Sequence, residues 1–276
     1  MSAENITWEA SPGKLAILSI ATNKYLDFYK DLIKSYAENC DHNLNIEFHL
    51  FTEQIDQAKE IKNQYPWLEI FFHEIAPLVW PEASLLRYQI YLEKIDDISS
   101  DYFMHIDADM LFLNDIGLDL QKILIPHSMS LIEHPGFYRN SGLSHIKFAL
   151  KDPIKEMKDL AKRFIFGGLG AWETNKKSNA FVSRRNRKSY FCGGVWIGSS
   201  KLFKHFLTIN SQNTKNDLAN GYIAIWHDES HLNKWASENK FTTLGPEYCY
   251  DPTYTQLAGI QGKIEAVDKK LYKKTV

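Results

Sequence analysis

The sequence predicts a mixed α/β fold, and three features carry that prediction. Short apolar segments alternate with amphipathic segments through the first 107 residues, a pattern typical of βαβ units and a mostly parallel sheet. The chain has 276 residues, enough to bury a substantial core. Its apolar fraction of 44% and charged fraction of 24% are ordinary for a globular protein. We therefore expect one domain over residues 1–276, with a polar lead at 1–12 and a basic tail at 263–276.

The first half is the more regular. Short runs rich in β-branched and aromatic residues predict strands, at 15–20, 46–51, 69–73 and 102–107. Apolar residues that recur at helical spacing predict helices, at 26–38, 53–64 and across 85–95.

The second half predicts fewer elements. Strands are expected at 129–132 and 190–198, with a glycine-rich and then basic loop at 167–189 between them. Helices should begin near Pro153, Ser199 and Asp228. The first of these has an apolar face that consists of Ile154, Met157, Ala161 and Phe164.

Charge and cysteine content exclude several classes of protein. The net charge of −2 gives little support to a general attraction to nucleic acid or to an anionic membrane. Three cysteines without CxxC spacing argue against a disulfide framework or a zinc site. The polar N-terminus lacks a signal sequence, and the apolar run at 15–21 is too short to span a bilayer. We expect a soluble, cytoplasmic protein with no integral membrane segment.

Asp107 and Asp109 are the first candidate site residues. They stand two positions apart where an apolar strand ends, and the carboxyl ends of strands form the ligand crevice of open α/β sheets. Two carboxylates there suit Mn²⁺ or Mg²⁺ bound to a diphosphate. A solvated turn at the end of a strand is an equally good explanation.

Ionisable residues follow one another in the segment 226–234, with the sequence WHDESHLNK. A carboxylate beside Trp226 could stabilise positive charge on a sugar ring. Helix capping by Asp228 or Ser230 is the simpler explanation.

Two further segments contain turn or close-approach signals. Gly193 and Gly194 lie inside a predicted strand, where glycine marks a bulge or the approach of a ligand. His134 precedes a Pro-Gly turn and two aromatic residues, which either border a carbohydrate pocket or pack in the core.

Taken together, these segments resemble the family of the mammalian blood-group A and B transferases and α-1,3-galactosyltransferase, glycosyltransferase family six. The matching stretches are ATNKYLDFY, LLRYQ, DADMLFLNDIG, HPGFY, WHDESHLNK and GPEYCYD. The resemblance runs from about residue 15 to 270 and is weak at 139–170, where this chain has an apparent insertion. We expect no membrane anchor or stem of the kind found in the mammalian members, so the chain resembles the soluble bacterial and phage branch.

The resemblance implies a GT-A fold, in which a Rossmann-like nucleotide-binding half with a mixed sheet joins an acceptor-binding half. It implies a retaining hexosyltransferase that moves GalNAc or galactose from a UDP-sugar to O3 of a galactoside, with Mn²⁺ or Mg²⁺ as cofactor. Two alternatives stay open: a nucleotidyltransferase that uses the same metal crevice, and a non-catalytic sugar-binding module. The first leaves the WHDESHLNK stretch without a role.

The family's site residues can be placed on this chain one by one. Its metal-binding acids match Asp107 and Asp109, and its nucleophile or back-face carboxylate matches Glu229. The nucleotide contacts match Ile20, Ala21, Thr22, Tyr25 and, from the basic tail, Lys269 and Lys274. The donor-sugar contacts match Arg87, Gly193, Gly194, His227 and Asp228, and the acceptor contacts match His134, Trp226 and Asp251.

Two positions bear on specificity. The resemblance implies that a small residue at Gly194 leaves room for an N-acetyl group, so UDP-GalNAc is the expected donor. Ala171 stands where the family has an acceptor-binding Thr.

The resemblance also implies mobile closing elements. The segment near 73–84 and the basic tail are expected to close over the diphosphate.

Overall fold

A computed structural model describes residues 13–40, 44–139, 142–255 and 259–269. A seven-stranded mixed sheet runs through the molecule in the order β3-β2-β1-β4-β7-β6-β8, and β5 and β9 form a small antiparallel pair. The strands are β1 (Leu15–Ile20), β2 (Ile46–Thr52), β3 (Glu69–Glu74), β4 (Tyr102–Ile106), β5 (Met110–Phe112), β6 (Met129–Glu133), β7 (Phe191–Ser199), β8 (Thr242–Leu244) and β9 (Ile264–Ala266).

The first four strands of the large sheet are parallel, so their carboxyl ends meet at one edge. Strand β7 runs antiparallel to β4 and β6. The helices are α1 (Tyr25–Asn39), α2 (Ile55–Gln64), α3 (Glu82–Leu85), α4 (Arg87–Leu92), α5 (Gly117–Ile123), α6 (Gly142–Lys151), α7 (Pro153–Phe166), α8 (Ser200–Ala219), α9 (His227–Ala236) and α10 (Pro252–Thr255).

Apolar layers cover both faces of the sheet. Successive residues of β1 point to opposite faces, as the pleat of a strand requires: Ile17 packs with Tyr29 of α1, whereas Leu18 belongs to the layer that contains Trp196 and Phe206. This double burial explains why β1 is apolar without interruption, and it confirms the prediction of a mixed α/β fold.

The predicted and observed elements differ in several places. The helix predicted across 85–95 is divided at Leu86, whose φ of −98° and ψ of 2° depart from helical values. The helix predicted from residue 53 begins at Ile55. Six elements, β5, β8, β9, α5, α6 and α10, were not predicted. The predicted polar lead at 1–12 and the last seven residues of the basic tail, Lys274 among them, lie outside the described residues.

Helix α7 has the opposite orientation to the one that its sequence predicts. An amphipathic helix normally packs its apolar face against the core, yet Ile154, Met157 and Phe164 are exposed to solvent. The acidic residues Glu156 and Asp159 face inward and are only 3% and 6% exposed. Their carboxylates lie 3.1 and 3.4 Å from the guanidinium of Arg139, so a buried ion pair, not apolar packing, orients the helix.

Candidate active site

The two predicted metal ligands lie at the carboxyl edge of the parallel strands. Asp107 follows β4 directly, and its backbone N–H donates to the carbonyl of Gly194 at 2.9 Å, which ties this turn to β7. Asp109 precedes β5. Both carboxylates line a cavity of about 580 Å³, which we call the acidic cavity. Asp107 and Asp109 can therefore form a turn at the end of the strand and also offer their carboxylates to a bound ion.

Arg87 holds the centre of the site together. It begins α4 and is buried, and its two terminal nitrogens lie 2.6 Å from Asp107 Oδ1 and 2.6 Å from Asp228 Oδ2. His105 Nε2 also lies 3.3 Å from Asp107 Oδ1. The same guanidinium donates to the carbonyl of Gly193 at 3.2 Å. One cation therefore links the end of β4, the start of α9 and the middle of β7.

The two carboxylates that share Arg87 differ in pKa. Burial acts to raise the pKa of Asp107, but Arg87, His105 and Lys269 together outweigh it and bring the pKa to about 2. Burial raises the pKa of Asp228 to about 7, and Arg87 offsets this only in part. Asp107 is therefore ionised at neutral pH.

Glu229 lies in a second cavity of about 460 Å³, which we call the glycine cleft because Gly193 and Gly194 line it. Its carboxylate accepts a hydrogen bond from the backbone N–H of Gly193 at 2.8 Å. Burial raises its pKa to about 7, and the bonds from Gly193 and from the Tyr190 hydroxyl lower it in part. The carboxyl group is thus held in place without a direct ion pair among its described contacts.

Close approach explains Gly193 and Gly194 of β7. A Cβ atom on Gly193 would lie 3.2 Å from the Cβ of Glu229, and one on Gly194 would lie 3.3 Å from Oδ2 of Asp107. Both distances are shorter than ordinary van der Waals contact. A side chain at either position would therefore press on a predicted site carboxylate.

The side chain of Asn233 fixes α9 to β7. Its amide accepts from the Phe191 N–H at 2.9 Å and donates to the Phe191 carbonyl at 2.8 Å. The same amide donates to the backbone carbonyl of Glu229 at 2.9 Å. Sequence reasoning missed Asn233, although it lies within the WHDESHLNK stretch. It missed Tyr190 as well, because no local pattern marks that residue.

The predicted nucleotide contacts mostly line the acidic cavity. Ile20, Thr22, Tyr25 and Lys269 are among the lining residues, whereas Ala21 between them is fully buried in the core. Lys269 Nζ lies 2.6 Å from Asp109 Oδ2 and 3.3 Å from the Tyr25 hydroxyl. The start of the basic tail therefore reaches the acidic edge of the sheet.

The segment predicted to close over the diphosphate, 73–84, also borders this cavity. The side chain of Asn23 donates to the carbonyl of Leu78 at 2.8 Å, which attaches the segment to the turn after β1. Trp80 is 81% exposed, and its ring centre lies 5.5 Å from that of His227 in an edge-on contact. Trp80 lines both cavities.

The predicted acceptor contacts fall partly in the glycine cleft. His134, Ala171 and Trp226 line it, together with the predicted donor contacts His227 and Asp228. Burial lowers the pKa of His134 to about 4, so its imidazole is neutral at pH 7. Asp251 lies near His134 but does not line the cleft.

The cavities share four lining residues, Trp80, Ser84, Arg87 and Asp107. They therefore meet at the carboxylate of Asp107, with the acidic edge on one side and Glu229 on the other. A molecule with two chemically different ends fits this arrangement, because the two cavities offer different surroundings.

A divalent cation fits the acidic edge when a diphosphate shares it. The described part of the chain contains no cluster of three or more His, Cys, Asp or Glu side chains that could hold a metal ion. Mg²⁺ is commonly bound by one or two carboxylates, with phosphate oxygens and water as the other ligands. Burial and then the charge of Asp107 raise the pKa of Asp109, so added positive charge at this position would be stabilising.

Comparison with protein families matches residues 169–274 to glycosyltransferase family 6. The match confirms the resemblance that the motifs indicate and supports a glycosyltransferase with a GT-A-like arrangement of the mixed sheet. The matched region contains Glu229 and both glycines of the cleft.

Individual relatives agree with this class. The chain is 23% identical to the rat histo-blood group ABO system transferase 1 over 92% of its own length and 65% of the rat protein. It is 23% identical to the human globoside α-1,3-N-acetylgalactosaminyltransferase 1, over 86% of this chain and 61% of the human protein. It is 21% identical to the O-antigen biosynthesis glycosyltransferase WbnI of Escherichia coli, over 86% of this chain and 88% of that protein. The chain thus spans about two thirds or less of the mammalian relatives' length.

Among the described residues, no helix is both long and apolar enough to cross a membrane.

Proposed function

We propose that this protein is a retaining glycosyltransferase that moves GalNAc, or less readily galactose, from a UDP-sugar to O3 of a galactoside, with Mn²⁺ or Mg²⁺ as cofactor. The observation that carries the proposal is the junction of the two cavities at Asp107, with Glu229 in the glycine cleft. Such a junction suits a donor whose diphosphate lies in one cavity and whose sugar lies in the other.

The acidic cavity would bind the nucleotide end of the donor. Tyr25 offers an aromatic face for the uracil, and Lys269 a positive charge for the diphosphate. Asp107 and Asp109 would hold the divalent cation, which when bound offsets the charge that develops on the leaving diphosphate. Arg87 keeps Asp107 ionised and fixed in position, so the ligand set is prepared before the donor arrives.

The glycine cleft would bind the donor sugar. The absence of side chains at Gly193 and Gly194 lets the ring approach Glu229 closely. The Gly193 N–H holds one oxygen of this carboxyl group at 2.8 Å, which fixes the carboxyl group where the anomeric carbon would lie. Positive charge that develops there favours the ionised carboxylate and therefore lowers its pKa in the transition state.

Retention requires that the carboxylate and the acceptor be placed differently about the anomeric carbon. Glu229 would act on the face opposite the departing diphosphate, as the nucleophile or as the group that stabilises positive charge. The acceptor galactoside would then enter past His134 and Trp226. The Nδ1 atom of His134 accepts a hydrogen bond from the Gly136 N–H at 3.0 Å. The neutral imidazole therefore has its Nε2–H left to donate to a hydroxyl group, without attracting the anionic donor.

A UDP-release assay with a panel of UDP-sugars tests the proposal. We expect release from UDP-GalNAc that requires both Mn²⁺ and a galactoside such as lactose, and we expect a lengthened saccharide in the same tube. Binding of UDP-sugar without release would instead indicate a non-catalytic module. Formation or cleavage of the UDP-sugar diphosphate bond would indicate a nucleotidyltransferase.

A further inference from the structure

The hairpin of α6 and α7 exposes its apolar side chains. Leu150 is 82% exposed and Phe164 is 76% exposed, and Ile146, Met157 and Ile165 are also mostly exposed. This hairpin occupies the stretch in which the resemblance to the glycosyltransferase family is weakest. No described part of the chain covers these five side chains, so burying them against a partner would release free energy.

Buried charges determine which side of the hairpin faces outward. Arg139 binds Glu156 and Asp159, and its guanidinium carbon lies 3.8 Å from the ring centre of Phe148. If α7 turned its apolar face inward, both carboxylates would lose this partner. Breaking a buried ion pair is strongly unfavourable, so the outward position of the apolar face is built into the fold.

The outward side of the hairpin is basic as well as apolar. In residues 142–166, Lys and Arg outnumber Asp and Glu by six to three. Two of those acids, Glu156 and Asp159, are turned inward, while Lys147, Lys151 and Lys158 are exposed. The local charge therefore differs in sign from the net charge of −2 on the whole chain.

We propose that the α6–α7 hairpin docks on an anionic membrane surface. Apolar side chains interleaved with lysines are typical of helices that lie in the bilayer interface, where the apolar groups enter the acyl boundary and the cations contact anionic headgroups. Pairing of the hairpin with a second copy of itself would bring lysines together and is disfavoured by their repulsion. The inference does not depend on the proposed transfer reaction.

Flotation of the full chain with lipid vesicles tests this surface. We expect the protein to float with vesicles that contain phosphatidylglycerol and phosphatidylcholine, and to bind pure phosphatidylcholine at least about tenfold more weakly. High salt should reduce binding to the anionic vesicles, because it screens the lysines.

Two sets of variants separate the apolar and the charged contributions. The triple variant Leu150→Gln, Met157→Gln, Phe164→Gln should lose flotation. The control Leu118→Gln, a change at a 70% exposed leucine of α5, should float like the wild type.

The double variant Lys147→Gln, Lys158→Gln keeps the apolar face and should bind anionic vesicles about tenfold more weakly. Thermal unfolding of each variant checks that the fold is retained, and the lysine variant remains informative if the triple variant does not fold.

Three results would overturn the proposal. One is a wild type that stays at the bottom of the gradient with anionic vesicles. Another is equal binding of the wild type and the lysine variant. The third is sedimentation velocity that finds a dimer of the wild type, a monomer of the triple variant and no lipid binding; this would make the hairpin an interface between copies.

Discussion

The acidic cavity and the glycine cleft stabilise their carboxylates in different ways. In the acidic cavity, Asp107 and Asp109 each have a basic group at 2.6 Å, from Arg87 and Lys269 respectively. In the cleft, Glu229 has the backbone N–H of Gly193 at 2.8 Å, and burial raises its pKa to about 7. The difference indicates that the two cavities have different roles. The acidic cavity holds charged groups in place, whereas the glycine cleft holds a carboxyl group whose ionisation responds to what is bound.

The largest expected effect is at Asp109, because the acidic cavity would lose a proposed metal ligand. Asp109→Asn should lower kcat/KM by about a thousandfold, since a bound metal supplies several kcal/mol of transition-state stabilisation. Asp119→Asn is a matched control: it also removes a carboxylate paired with a lysine, Lys263, but lines neither cavity. Steady-state kinetics over a range of Mn²⁺ concentrations measures both. Full activity of Asp109→Asn in excess chelator would contradict a metal role for this edge.

A smaller loss is expected in the cleft. Glu229→Gln keeps the size of the side chain and its bond to Gly193 but removes the charge, so kcat should fall by at least about a hundredfold. Glu265→Gln on β9 removes another carboxyl group whose pKa burial raises and should leave kcat unchanged. If Glu229→Gln raised KM and left kcat intact, the residue would bind the acceptor and would not act at the anomeric carbon.

The position of these two carboxylate sites was only partly predictable. Asp107 could be placed at the sheet edge because an apolar strand ends there, and the alternation of strands and helices predicted the parallel half of the fold. The sequence motifs could not reveal that Arg87 joins Asp107 to Asp228, because the three residues are brought together only by tertiary packing. The orientation of α7 was likewise hidden, since the buried partner of its acids, Arg139, is remote from the helical pattern.

A moderate effect is expected where the cavities meet. Gly194→Ala should shift the ratio of kcat/KM for UDP-GalNAc over UDP-Gal toward galactose by about tenfold, the usual worth of one methyl group in a pocket. The added Cβ would also lie 3.3 Å from Asp107 Oδ2, so both donors should lose activity, and the ratio is the informative quantity. An unchanged ratio would mean that Gly194 serves the position of Asp107 and not the choice of sugar.

The smallest expected effect concerns stability and pH. Glu229 has an ordinary pKa of 4.5 and a folded-state pKa of about 7, so between these values the folded protein keeps a proton that the unfolded chain has lost. Its carboxyl group therefore makes the fold less stable as pH rises through that window. Because the side chain is partly exposed to the cleft, we expect Glu229→Gln to gain about 1–2 kcal/mol relative to the wild type between pH 5 and pH 8. Urea unfolding of both proteins at the two pH values measures it, and a constant difference would contradict the raised pKa.

The structure of the reaction product tests the proposed glycosyl transfer most directly. Incubation with UDP-GalNAc, lactose and Mn²⁺, followed by proton NMR of the isolated saccharide, gives the anomeric configuration and the linkage position together. We expect an α-linked GalNAc on O3 of the galactose unit, formed in step with UDP release. A β-linked product would contradict the role of Glu229 in retention, and release of UDP with no new saccharide would contradict glycosyl transfer to a galactoside.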